Sequence, residues 1–142
     1  MGRLIQTERA GTERNRLVKS VVAALRELAN GVEVNSQTRD AAAYIGLALL
    51  EINDTVEKTV QAWEKRDYWV KADRFRMEWR WAGELGERMV ASLRQEDWGS
   101  VAVTSARIGE KLKSVELAPN HRLGRPWVGA WEKFIEKSGH YT

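Results

Sequence analysis

The residues from Trp63 to Trp81, W-E-K-R-D-Y-W-V-K-A-D-R-F-R-M-E-W-R-W, hold four of the chain's seven tryptophans and six of its lysines and arginines. Two kinds of chemistry use that mixture. Single-stranded nucleic acid is bound by cationic grooves that also offer aromatic platforms for the bases. Protein interfaces are centred on Trp, Met and Arg. Arg66, Lys71, Arg74, Arg76 and Arg80 interleave with Trp69, Phe75 and Trp81, which suits the first use. Glu64, Asp67, Asp73 and Glu78 stand among these cations at helical spacings, however, and mixed charge of that kind makes a solvated, salt-bridged face. Protein association is the better reading of this stretch.

A second basic cluster is His121-Arg122-Leu123-Gly124-Arg125-Pro126-Trp127. His121, Arg122 and Arg125 precede a helix start, where free backbone N–H groups could hold a phosphate or carboxylate. No Gly-rich phosphate loop accompanies them, so the plainer expectation is a Gly-Pro turn.

Nothing points to a metal, a cofactor or catalysis. The chain has no cysteine and only two histidines, His121 and His140. An inward-facing di-iron site would need Glu-x-x-His pairs, and Glu51, Glu57 and Glu64 have no histidine beside them. No nucleophile-elbow motif supports a Ser–His–acid set. The expectation is a non-enzyme that uses no cofactor and no metal.

These residues must be positioned by helices. The only prolines are Pro119 and Pro126, so the chain before them is open to long helices. Residues 1–11 are expected to form an arm, with Leu4 and Ile5 as its large apolar residues. Thr12 is placed to cap a first helix over 13–30, with Leu17, Val18, Val21, Val22, Leu25, Leu28 and Ala29 on one face and Gly31 as its stop. Asn35, Ser36 or Thr38 caps a second helix reaching Lys65. Its seam of Ala42, Ile45, Leu49, Ile52, Val56, Thr59 and Trp63 alternates steps of three and four, the spacing of bundle packing. Lys65-Arg66-Asp67 reads as a turn, with Asp67 capping a third helix over 68–95. Asp97 caps a fourth over 98–115, carrying Val101, Ser105, Ile108, Leu112 and Val115. Pro126 opens a fifth to about Lys137, with Trp127, Ala130, Trp131, Phe134 and Ile135 on one face. Gly83 and Gly86 interrupt the third helix, as close packing against a neighbouring backbone would require.

The predicted fold is therefore all-α: an up-down antiparallel four-helix bundle with an additional short C-terminal helix. Residues 1–11 form the arm and 12–142 a single bundle domain. A chain of 142 residues can bury a self-sufficient core. The net charge of +3 is a mild basic excess, gathered at both chain ends and in the tryptophan-rich stretch, which permits nucleic-acid binding without requiring it. No apolar run approaches the roughly 20 residues of a membrane span. Together with the missing cysteines and the lack of a signal-peptide run at the start, this leads to the expectation of a cytoplasmic protein with no membrane contact. A helix-turn-helix over 21–50 is discounted, because the connection is too long and its second helix is alanine-rich core.

The third helix is two-sided. At about 100° per residue, Phe75, Trp79, Ala82 and Met89 share one stripe, whereas Val70, Met77 and Trp81 lie on the opposite side. That second stripe needs a cover. Either the fifth helix lies over it, pairing Trp127, Trp131 and Phe134 with Met77 and Trp81, or another chain does. The functional expectation is association through Trp69, Val70, Met77 and Trp81, with Arg74 and Arg80 at the rim, to a second copy or a different protein. The alternative is a small basic subunit that binds RNA or single-stranded DNA backbone through Arg66, Lys71, Arg74, Arg76 and Arg125, with His121, Arg122 and Arg125 as a candidate anion site.

Overall fold

In a computed structural model, the backbone is described for residues 2–31 and 33–139, and side chains for 8–31 and 33–137. All regular structure among the described residues is helical: α1 (Gly2–Asn30), α2 (Ser36–Glu64), α3 (Trp69–Arg94), α4 (Trp98–Lys111) and α5 (Ala130–Gly139). None of these helices is long and apolar enough to cross a membrane.

The first helix starts earlier than its sequence suggests. α1 begins at Gly2 and runs through Thr12 without a break, so residues 2–11 extend the helix and Thr12 caps nothing. The side chains of Leu4 and Ile5 lie outside the described residues. The physical reason for the continuation is visible at Ala10 and Arg14, both buried against the bundle. Tertiary contact there outweighs the glycine at 11, which costs only about 1 kcal/mol in a helix.

α2 is the central element, flanked by α1 and α3. Asn35 caps it in a reciprocal box: its side chain accepts from the N–H groups of Gln37 and Thr38, and the Thr38 hydroxyl accepts from the Asn35 N–H. The seam residues Ala42, Ile45, Leu49, Ile52, Val56 and Thr59 are all buried, and Trp63 is half-buried. α3 returns antiparallel along α2 at close range. A Cβ on Gly86 would stand 3.1 Å from Leu49 Cβ, and one on Gly46 3.2 Å from Met89 Cγ. A Cβ on Gly83 would stand 2.9 Å from Asn53 Oδ1, so Gly83 and Gly86 are both sites of close helix packing.

The turn over 65–67 forms where the sequence places it, but Asp67 is not the cap. It takes a left-handed φ of 64°, and Tyr68, which makes no side-chain capping bond, occupies the N-cap position. Asp97 does cap α4, accepting from the Ser100 N–H at 3.1 Å. α5 starts four residues later than Pro126 suggests. Its first N–H groups are met by a residue from α2: Asp40 accepts from Gly129 N at 3.1 Å and Trp131 N at 3.0 Å.

α4 has 14 residues, α3 has 26. The fourth position of the bundle is thus filled along only part of its length. The Ser92–Ser100 hydrogen bond sets the α3–α4 register. Carried along at 1.5 Å per residue, it ends α4 near the level of Trp81. Beyond that point, among the described residues, side chains close the space between α1 and α3. The Arg14 guanidinium reaches from α1 over the rings of Phe75 and Trp79, above a smaller core of Val56, Val60 and Ala72.

Candidate protein-docking face

The N-terminal half of α3 carries the largest exposed apolar side chains of the chain's middle. Val70 is 66% exposed, Met77 67% and Trp69 54%. The opposite side of the same helix is packed. Phe75 sits edge-on to Trp63 at 5.1 Å between ring centres, and Trp79 follows Phe75 at 6.3 Å. The two-sided character read from the sequence is real: α2 covers one side of α3, and on the other Val70 and Met77 stay exposed among the described residues.

The fifth helix does not supply that cover. α5 packs on the N-terminal half of α2, tied there by Asp40. Trp127, in the turn before α5, and Phe134 on it are buried in the main core, and Trp131 stands 6.1 Å from Trp98, at the start of α4. That region is the end of the bundle remote from Val70.

The six residues expected to share the interface separate into three groups. Val70, Arg74 and Met77 point outward together, with Glu84 and Arg88 continuing the stripe toward the C-terminus of α3. Trp81 is not a free knob. It is half-buried, stacks on Trp79 at 5.9 Å and 25°, and packs against the main core, so it offers only an edge to the stripe. Trp69 and Arg80 lie around the helix, about 80–100° from the Val70–Met77 line. Arg80 lines the α2–α3 groove with Asn53 and Glu57.

The cations proposed for nucleic acid do not assemble into one groove. Arg76 is held by carboxylates: Nε lies 3.2 Å from Glu57, and Glu64 and Asp73 are within 4 Å of its Nη1. The hydrogen bond to Glu57 pushes its pKa further up. Lys71 lies over the Trp63 ring at 4.4 Å. Arg66 and Arg74 are exposed at the same end. The other group is at the far end of the bundle. Arg125 pairs with Glu27 at 2.8 Å, and His121 Nδ1 accepts from the Leu123 N–H. The loop there is a turn built on Gly124, whose φ is +68°. α2, which separates the two groups, is 29 residues long, about 40 Å at 1.5 Å per residue.

One residue of note carries no motif. Arg14 is only 9% exposed, and among the described residues no carboxylate pairs with it. Its Nη1 donates weakly, at 3.3–3.5 Å, to Thr59 Oγ1 and to the carbonyl and hydroxyl of Thr55. Burial pushes its pKa down. Its spacing of three and four to Leu17 and Val18 was the available signal, since it places an arginine on the apolar stripe of α1.

No group of three or more potential metal ligands occurs among the described residues. No protein-family model, curated protein or solved structure gives a significant match to this chain.

Proposed function

We propose that this chain is a non-catalytic helical bundle that works by docking, helix against helix, onto a protein partner through the outward face of α3. The observation that carries this reading is the exposure of Val70 and Met77, one beside Arg74 and the other beside Trp81, on a face that the chain's own fifth helix leaves bare. Scattered exposed apolar residues are ordinary. These two differ because they recur seven residues apart on one line, at the spacing another helix can engage.

The partner chemistry is set by the face: an amphipathic helix with an apolar seam and charges of both signs. The test is a photocrosslinking amino acid placed at position 77 of the full chain. A covalent adduct to a protein is expected in the native cell, and none from a control at exposed Lys133 on α5, at the end of the bundle remote from Val70. Absence of any protein adduct from position 77 overturns the reading.

A further inference from the structure

We infer that the partner helix is α3 of a second copy of this chain, running antiparallel about a two-fold axis near Trp79. This rests on the docking reading above and names its occupant.

The outward line of α3 reads Val70, Arg74, Met77, Trp81, Glu84, Arg88. The steps are four, three, four, three and four, the seam of a left-handed helix pair. Laying the line against its own reverse makes residue numbers in contact sum to 158. Met77 then meets Trp81 of the partner subunit, and Arg74 meets Glu84 of the partner subunit. Val70 lies along the aliphatic stem of Arg88 of the partner subunit. Each pairing occurs twice by symmetry, as an isologous contact must.

The parallel alternative is worse for a simple reason. It sets Arg74 against Arg74, Glu84 against Glu84 and Arg88 against Arg88. Charge complementarity therefore selects direction as well as register. Arg74 and Glu84 are both exposed, and ten residues of helix hold them about 15 Å apart within one chain. Any attraction between them is thus intermolecular.

The strength is limited by two features. Residues 70–88 span about 27 Å of a single helix pair, which falls at the small end of specific interfaces. At the axis, Glu78 approaches Glu78 on one flank and Arg80 approaches Arg80 on the other. These like-charge pairs are exposed and screened, but they weaken the contact. The dimer is concentration-dependent rather than permanent.

The experiment is a charge swap read by sedimentation equilibrium at several concentrations. Wild type should dimerise reversibly. Arg74→Glu and Glu84→Arg should each weaken the dimer at least about tenfold, because each places like charges together twice. Arg74→Glu/Glu84→Arg in one chain should restore it, and so should mixing the two single variants. Both positions are exposed, and circular dichroism should give all variants the wild-type fold.

A wild type that stays monomeric up to about 1 mM, the range of the weakest specific contacts, overturns the inference. So does a double variant weaker than both singles. The photoadduct from position 77 keeps the two readings apart. An adduct of twice the chain mass supports the second copy. An adduct to a different protein removes the second copy and leaves helix docking standing, and no adduct removes both.

Discussion

The Arg14 guanidinium of α1 lies 4.8 Å from the centre of the Phe75 ring on α3, and 5.8 Å from that of Trp79. This contact joins two helices where no fourth helix stands between them. A desolvated cation over an aromatic face gains about 2 kcal/mol, but burying a charge without a counter-charge costs several. The arginine is therefore a structural plug whose charge is a burden.

Arg14→Met should leave the bundle as stable as wild type or more so, because it keeps the volume and removes the buried charge. Arg14→Ala should cost about 2–3 kcal/mol by opening a cavity between Phe75 and Trp79. Arg14→Lys adds a pH signature. Burial lowers the pKa of a lysine there below its unfolded value near 10.4, so the unfolded state binds more protons in the interval between the two values. Stability of that variant should rise with pH through that interval, whereas a guanidinium stays charged and gives no such rise. Thermal melts from pH 7 to 10 check all three.

Two glycines should respond oppositely to alanine. At Gly86 a methyl would press on Leu49 Cβ at 3.1 Å, an atom that cannot rotate away and belongs to a fully buried residue. The gain in helix propensity, about 1 kcal/mol, is outweighed by overpacking of about 1–3 kcal/mol. At Gly109 on α4 nothing lies within 4 Å. Gly109→Ala should stabilise by about 0.5 kcal/mol. Chemical denaturation should move the two midpoints in opposite directions.

Asp40 caps a helix that begins 90 residues away. Asp40→Ala removes the acceptor for Gly129 N and Trp131 N, and should cost about 1–2 kcal/mol. The loss should be local. Amide exchange should accelerate over Gly129–Phe134 while α2 and α3 keep their protection. Asp40→Asn, which retains an acceptor oxygen, should recover most of it.

The outward stripe offers a contrast in stability. Met77→Asp should leave the melting temperature within about 2 °C of wild type at a concentration where the chain is monomeric, since a surface change is usually worth under about 0.5 kcal/mol. Trp81→Ala should cost about 3 kcal/mol, because its ring is stacked on Trp79 and set against the core. A Met77→Asp chain that unfolds would place position 77 inside the bundle.

Much of the molecule was written in local pattern. The alternating three- and four-residue seam of α2 and the caps at Asn35 and Asp97 depend on neighbours within four residues. So does the apolar Val70–Met77 line opposite the Phe75–Trp79 stripe. A sequence displays such relations directly, because helix geometry converts spacing into direction. The sequence also determined that α3 has two apolar sides.

What it could not decide is which side stays open. That depended on α5 being drawn to α2 by Asp40, an acceptor 89 residues from its first donor, and on α4 ending near Trp81 rather than running the length of α3. It also hid the role of Arg14, whose aromatic partners sit 61 and 65 residues away. Long-range hydrogen bonds and side-chain contacts carry no periodic trace in the chain. Only the packed structure could choose between a covered stripe and an exposed one.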